Sequence, residues 1–286
     1  DTMPAPTTNP RAVLTATVLF LVHSNLLISL SATSVALSTM LLADLAVDPA
    51  ALFIVFAVTL FVYSFNRLTD LAEDERNVPE RASFVRQYGV WLLALGAVLY
   101  LVATAVAIVR GIPGAPAMIV PLAVAVLYSV VGLKRILLVK NLLVGLSWGL
   151  IPLGVGVYYS VLGSFDILFM FGFITAALTI AAVVFDIKDI AGDRAEGIKS
   201  VPVVAGPART RQFAVAASAV LGVIVVVFLL TGVLNRQYVL LLPFICYMIG
   251  YSLVATRDRT PLFYGFVIDS EHIFLAVLLG SWELLV

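Results

Sequence analysis

Two groups of oxygen-bearing side chains are spaced three or four residues apart in a chain that otherwise carries few charges. The first has the pattern Asn-x-x-x-Asp-x-x-x-Asp over residues 66–74, and the second has Asp-x-x-Asp-x-x-x-Asp over residues 186–193. Because about 3.6 residues make one helical turn, each group would form a stripe along one side of a helix. Crowded carboxylates repel one another unless a cation neutralises them, and Mg²⁺ prefers oxygen ligands. The spacing therefore predicts a magnesium site that also holds a phosphate. Its candidate metal ligands are Asn66, Asp70, Asp74, Asp186, Asp189 and Asp193.

The elements that must position these stripes are predicted to lie in a membrane. Of the 286 residues, 62% are hydrophobic and only 12% are charged, which is unlike an average soluble domain. About 20 apolar residues suffice to cross the hydrocarbon core of a bilayer. The sequence predicts an all-α, polytopic membrane bundle of nine transmembrane helices around a central cavity. The predicted spans are approximately residues 13–43, 48–72, 84–109, 114–131, 140–161, 165–190, 208–233, 236–256 and 262–284.

The distribution of positive charge predicts the orientation of these spans. With nine spans, all but two of the 17 Lys and Arg residues fall on one side of the membrane, and the exceptions are Arg110 and Arg236. The positive-inside rule then places the N-terminus and both acidic stripes in the cytoplasm and the C-terminus outside. The first segment has no basic region of the kind that precedes a signal peptide, so we expect the first apolar run to be a retained span.

We expect a single membrane domain over residues 1–286. The second and sixth predicted spans both end on the cytoplasmic side in an acidic stripe, so a repeat of four helices plus four, with an added ninth, would make the stripes face each other. Gly145 and Gly149, four residues apart in the fifth span, are expected to let that helix approach a neighbour closely.

Basic residues near the stripes suggest a diphosphate held through Mg²⁺. Arg67 and Arg81 flank the first stripe, Lys188 and Lys199 flank the second, and a third group follows Tyr128. Lys and Arg bind phosphate directly, although every cytoplasmic loop is expected to be basic in any case. The candidate diphosphate-binding residues are Asn66, Arg67, Arg81, Lys134, Arg135, Lys188 and Lys199.

These residues together resemble the UbiA family of intramembrane prenyltransferases. The resemblance covers the whole chain and rests on the motif NRLTDLAED at residues 66–74, on Asn77-x-Pro79-x-Arg81, on YSVVGLKR at residues 128–135 and on DIKDIAGDRAEGIKSVPV at residues 186–203. Two positions depart from the family pattern, since Arg67 stands where an acidic residue is common and Ala82 where a proline is common.

The resemblance implies an enzyme that uses Mg²⁺ to transfer a prenyl group from a prenyl diphosphate to a lipophilic acceptor within the bilayer. The acceptor would be an aromatic ring, a glycerol-phosphate lipid precursor, a polyene or a porphyrin-type ring, and nothing in the chain selects among them. No nucleic acid and no obligate protein partner is expected. The implied catalytic residues are Asp70, Asp74, Asp189, Asp193, Tyr128 and Lys134.

Two other classes of function compete with the enzyme. A transporter or cation-conducting protein also uses intramembrane carboxylates, but it would place them near the middle of the membrane rather than beside basic loops at one boundary. A non-catalytic scaffold would leave six spaced oxygen ligands without a purpose. Asp269, Glu271 and His272 in the last span fit an acceptor-binding or base role, a local hydrogen-bonded cluster, or a ninth span that starts later than residue 262. His23 and Asn25 fit either an acceptor contact or an interhelical hydrogen bond.

Overall fold

The computed structural model describes residues 9–123, 137–195 and 197–285, and every regular element in these ranges is helical. The long helices coincide with the continuous apolar runs of the chain, and prolines begin several of them because the first turn needs no donor from that residue. The helices are α1 (Pro10–His23), α2 (Leu26–Leu42), α3 (Pro49–Thr69), α4 (Leu71–Asn77), α5 (Pro79–Val109), α6 (Val139–Tyr158), α7 (Phe165–Ala195), α8 (Val201–Ala205), α9 (Pro207–Leu230), α10 (Leu241–Val254) and α11 (Glu271–Leu285). Short 3₁₀ turns lie at Ala115–Met118 and Arg236–Leu240, and a π-helical turn lies at Phe263–Ile268.

The described helices include seven that are long and apolar enough to cross a membrane, or eight if α1 and α2 together form one bent span. The chain is therefore an integral membrane protein with an all-helical fold. The seven correspond to the predicted spans 48–72, 84–109, 140–161, 165–190, 208–233, 236–256 and 262–284. The predicted span 114–131 falls largely on residues 124–136, outside the described ranges, so the count of nine stays a prediction.

The first predicted span, 13–43, is not one straight helix. Helices α1 and α2 meet at an angle of 68°, and the break falls at Ser24 and Asn25. Asn25 adopts the left-handed backbone conformation with φ 62°, which Asn tolerates better than most residues because its short side chain can bond locally. The side-chain amide of Asn25 donates to Ser64 Oγ of α3 at 3.4 Å. The residue thus makes an interhelical hydrogen bond, one of the two roles expected for it.

Helices α6 and α7 pack with their backbones in close contact. A Cβ atom built on Gly145 would overlap the carbonyl of Thr175 and the hydroxyl of Thr179, and one on Gly149 would overlap the hydroxyl of Thr175. The expected role of these glycines in close packing is confirmed. The contact matters for function because it fixes the helix that carries the second acidic stripe against α6, which carries Lys140 in its first turn.

A polar cluster ties three segments together at the end of the bundle opposite the acidic stripes. The Tyr158 hydroxyl donates to Asp48 Oδ2 at 2.6 Å, and Arg110 Nη1 lies 3.1 Å from the same oxygen and 3.2 Å from the Tyr158 oxygen. Asp48 also accepts from the backbone N–H of Ala50 at the start of α3. We call Asp48, Arg110 and Tyr158 the distal clasp. The bonds from Tyr158 and then Arg110 lower the pKa of the Asp48 carboxyl to about 2.

We expect Gly145→Ala to lower the free energy of unfolding by about 1–3 kcal/mol, because the added methyl must push two packed helices apart. Thermal unfolding in detergent measures the effect. Gly172→Ala on α7 is the matched control, since a Cβ there meets nothing within 4 Å. Equal melting temperatures for the two variants would contradict the close-packing role.

The distal clasp should make stability depend on acid pH. The pKa of Asp48 in the folded protein lies below its ordinary value of 3.8, so the ionised carboxylate stabilises the fold fully above about pH 5 and progressively less as pH falls toward 2. Asp48→Asn keeps the shape and removes the charge. We therefore expect its melting temperature to lie below that of the wild type at pH 7, with the gap narrowing below pH 4. A gap that stays constant from pH 7 to pH 3 would contradict the assignment.

Candidate functional site

The first acidic stripe lies where α3 ends and the chain turns into α4. Asn66 and Arg67 occupy the last turn of α3, Asp70 joins the two helices, and Asp74 lies within α4. The chain then turns at Val78 and returns as α5, which packs along α3. The helical spacing of Asn66, Asp70 and Asp74 is retained across the break between α3 and α4. The backbone N–H of Asp70 donates to the Asn66 carbonyl, and that of Asp74 donates to the Asp70 carbonyl.

Asp74 is held by an arginine from the start of α5. Arg81 Nε donates to Asp74 Oδ2 at 2.9 Å and Nη2 donates to Oδ1 at 2.5 Å, while Arg67 Nη1 lies 3.9 Å from Oδ2. Only 5% of Asp74 is exposed. A two-pronged arginine pair of this kind satisfies a buried carboxylate well. Arg67 Nε is buried without a hydrogen-bond partner, so this guanidinium keeps a donor that a phosphate oxygen would satisfy.

The second stripe lies near the end of α7 and is neutralised from two helices. Asp186 is 2% exposed, and its two oxygens contact Lys140 Nζ at 2.8 Å and Asn141 Nδ2 at 2.9 Å. Asp189 is paired with its neighbour Lys188 at 2.7 Å. Asp193 is 2% exposed; the Ser200 hydroxyl interacts with its carboxyl, and its buried Oδ2 makes no hydrogen bond of regular geometry. A buried carboxylate oxygen that is satisfied so weakly is the kind of group that a cation would satisfy.

Contacts between helices bring the two stripes into one region. Helix α4, which carries Asp74, packs against α7. Asp269, just before α11, lies within electrostatic range of Arg67 and Arg81 from the first stripe and of Lys188 from the second. Cations of both stripes are therefore close enough to one carboxylate to interact with it electrostatically. Sequence reasoning left the role of Asp269 open because its neighbours come from distant parts of the chain.

An apolar cavity of about 540 Å³ begins at the first stripe. Asn66, Arg67 and Asp70 line one end, and successive turns of α3 and α6 line its length as far as Ala51 and Tyr158. Tyr63 and Trp148 form part of the wall, and the Trp148 indole donates to the Tyr63 hydroxyl at 3.0 Å. The site therefore combines a charged end with a long apolar space, as a ligand with an anionic head and an apolar tail requires.

The carboxylates of the two stripes are too far apart to surround one Mg²⁺ ion by themselves. In residues 9–123, 137–195 and 197–285, no group of three Asp, Glu, His or Cys side chains surrounds a single point. A cage of six protein ligands around one ion is therefore not seen. Mg²⁺ commonly takes only one or two carboxylates and completes its shell with phosphate oxygens and water. The separated carboxylates, together with the weakly satisfied carboxylate of Asp193, suit ions shared between protein and diphosphate.

Several predicted site residues lie elsewhere or outside the described ranges. Tyr128, Lys134 and Arg135 belong to residues 124–136, which the structure does not describe. Lys199 is exposed and forms no ion pair with either stripe in the part of the chain that is described. Asn141, in contrast, was not among the predicted site residues although it holds Asp186. Its position directly after Lys140 at the start of a helix was the available signal.

Glu271 and His272 form a buried cluster behind the cavity wall. The Tyr251 hydroxyl donates to Glu271 Oε2 at 2.8 Å, and the His272 ring lies between the rings of Trp148 and Phe244 at 5.5 and 5.3 Å. Both residues are 1% exposed. Of the two roles left open by the sequence, the local hydrogen-bonded cluster is the one seen for Glu271. His272 does not line the cavity, but it contacts Trp148, which does.

Comparisons with known proteins agree on one family. The model of the UbiA prenyltransferase family matches residues 26–262. Among solved structures, a UbiA homolog from Aeropyrum pernix K1 is 18% identical with a TM-score of 0.65, and the match covers 90% of this chain and 97% of that one. A UbiA homolog from Archaeoglobus fulgidus, solved with GPP and Mg²⁺, is 15% identical with a TM-score of 0.62 and coverage of 92% and 99%. A digeranylgeranylglyceryl phosphate synthase is 18% identical with a TM-score of 0.52 and coverage of 92% and 96%. No curated protein sequence matches significantly.

We expect Arg81→Ala to destabilise the protein by about 3 kcal/mol, because it leaves the buried Asp74 carboxylate without its main partner. The matched control is Arg86→Ala on the same helix, since Arg86 pairs with exposed Glu75 of α4 and an exposed pair contributes at most about 1 kcal/mol. Thermal unfolding of both variants in detergent measures the difference. Restoration of stability by Asp74→Asn in the Arg81→Ala background would identify the unpaired charge as the cause, whereas equal effects of the two arginine variants would contradict it.

Proposed function

The chain belongs to the UbiA prenyltransferase family, and on that premise we propose that it transfers a prenyl group from a prenyl diphosphate to a lipophilic acceptor inside the membrane, using Mg²⁺. The observation that carries the proposal is the cavity that joins Asn66, Arg67 and Asp70 to an apolar space along α3 and α6. One ligand with a charged head and an isoprenoid tail would occupy both parts. Family membership favours the enzyme over the ion-transport alternative.

We infer that Mg²⁺ is held between the stripes and the diphosphate. The residues that would hold it are Asn66, Asp70, Asp74, Asp186, Asp189 and Asp193. The Archaeoglobus relative was solved with GPP and Mg²⁺, and the buried, weakly satisfied carboxylate of Asp193 supports the same metal here. Bound Mg²⁺ would neutralise the charge that grows on the diphosphate as it leaves.

The basic side chains around the stripes would bind and orient the diphosphate. Arg67 has a buried donor without a partner and lines the cavity, so we assign it a phosphate contact. Arg81 and Lys188 are each paired with an aspartate, and they would share those carboxylates with the metal-bound head group. Lys199, Lys134 and Arg135 stay candidates for the same role.

The reaction would break the bond between the first tail carbon and the diphosphate oxygen, with the electron pair leaving on the diphosphate. A carbon or oxygen atom of the acceptor then forms a bond to the tail carbon and loses its proton. The apolar walls exclude water, which would otherwise capture the allylic cation. Tyr63 and Trp148 line the cavity, where their aromatic rings would stabilise positive charge. Tyr128 stays a candidate for the same site.

We also propose the orientation and organisation of the enzyme. Positive charge supports a cytoplasmic N-terminus and active site with the C-terminus outside. The chain is proposed to be one domain, with a repeat of four helices plus four. Digeranylgeranylglyceryl phosphate synthase among the similar folds makes a prenylated glycerol phosphate a reasonable acceptor to test, beside a hydroxybenzoate and a linear polyene.

We expect Asp70→Asn and Asp189→Asn to lower turnover at least about 100-fold, because each removes charge that holds the leaving group, and chelation of divalent metal to abolish turnover in the wild type. The assay supplies purified protein with a prenyl diphosphate, Mg²⁺ and the three acceptors, and it follows diphosphate release and product mass.

The matched control is Glu75→Gln, an exposed acid on α4 next to Asp74, which should keep wild-type turnover. Melting temperatures verify that each variant is folded. Turnover that is unaffected by a metal chelator would refute the proposed mechanism.

A further inference from the structure

The far end of the apolar cavity lies beside the polar distal clasp. Tyr158 both lines the cavity and donates to Asp48 in the distal clasp. The clasp joins the start of α3, the end of α5 and the end of α6, which are distant in sequence. An aspartate is ionised at neutral pH, and the hydrogen bonds from Tyr158 and Arg110 lower the pKa of Asp48 further below its ordinary value.

The connection after α5 reinforces this end. Gly114, at φ 77°, lies so close to Val157 that a Cβ on the glycine would overlap the valine side chain, and both residues line the cavity. The Tyr100 hydroxyl donates to the carbonyl of Met118 and so holds the following 3₁₀ turn against α5. The backbone at Gly114 and the Tyr158 ring therefore line the far end, where the Tyr100 and Tyr158 hydrogen bonds hold the 3₁₀ turn and the tyrosine in place.

The length of the cavity can be compared with the length of a prenyl tail. Ala51 and Asn66 line its two ends on one helix, and the rise of 1.5 Å per residue places them about 22 Å apart. Each isoprene unit adds four carbons to the extended chain, or about 5 Å at ordinary C–C bond lengths. About four units therefore fit between the head-group site and the clasp.

We infer that the distal clasp is the stop that sets the longest prenyl tail this enzyme accepts, with Tyr158 as the surface the tail meets and about four isoprene units as the limit. This inference rests on the proposed function and specifies its donor substrate. A shorter donor leaves the far end unfilled, whereas a longer one must displace the Tyr158 ring or find another way out of the cavity.

The test measures how much each ligand raises the melting temperature of the full chain in detergent with Mg²⁺. The ligands are inorganic diphosphate and prenyl diphosphates of two, three, four, five and eight isoprene units. We expect the rise in melting temperature to increase with tail length up to four units. It should be smaller at five and eight units, because the additional carbons do not fit in the cavity.

Two variants move the stop in opposite directions. Gly154 lies one helical turn before Tyr158, lines the cavity, and has no atom within 4 Å of an added Cβ. Gly154→Phe should fill the far end, so the prenyl diphosphate that raises the melting temperature most should be about one isoprene unit shorter, since one helical turn rises about 5.4 Å. In Tyr158→Ala the ligand with the largest effect should have five units or more.

Gly172→Phe is the matched control. A Cβ at Gly172 also meets nothing within 4 Å, but this residue of α7 does not line the cavity, so the wild-type profile should persist. If Tyr158→Ala does not fold, Gly154→Phe still tests the inference.

Equal shifts for four, five and eight units in the wild type, or an unchanged profile in Gly154→Phe, would overturn the stop and leave the proposed function standing. If neither inorganic diphosphate nor any prenyl diphosphate raises the melting temperature, and none is turned over, the proposed function itself fails.

Discussion

Neutralisation of carboxylates at one end of an apolar bundle is the interaction on which the rest of the structure depends. A charge taken out of water must be paired and hydrogen-bonded, because an unpaired buried charge destabilises the folded protein by several kcal/mol. Here Arg81 satisfies Asp74, while Lys140 and Asn141 satisfy Asp186. Each of these pairs links different helices, so the same contacts that make the charges tolerable also fix the stripes in place.

The arrangement leaves some groups unsatisfied, and those groups indicate the ligand. Arg67 Nε is a buried donor without a hydrogen-bond partner, and Asp193 Oδ2, near the Ser200 hydroxyl, is a buried acceptor without a hydrogen bond of regular geometry. A phosphate would satisfy the first and a cation the second. A diphosphate with its metal supplies both kinds of partner. In a purely structural site, every cation and carboxylate would instead be paired within the protein.

The cavity is shaped by the way α3, α5, α6 and α7 pack. On one face of α6, Gly145 and Gly149 bring the helix against α7. The other face, which includes Trp148, lines the cavity beside α3. The distal clasp then ties the far ends of α3, α5 and α6 together. One end of the cavity is thus defined by charges suited to a ligand and the other by charges that satisfy one another.

The sequence by itself determined the membrane class, seven of the spans, the close packing of the glycine pair and the residue types of both stripes, because hydropathy, small-residue spacing and helical periodicity are local properties of the chain. It missed the break at Asn25, since an apolar run gives no sign of a left-handed residue that a hydrogen bond to Ser64 accommodates. Only the tertiary structure decided which cation meets which carboxylate, that Asn141 serves Asp186, and that Asp48, Arg110 and Tyr158 meet. These contacts join residues up to 110 positions apart, and no local pattern records a partner that the folding of the whole bundle brings into reach.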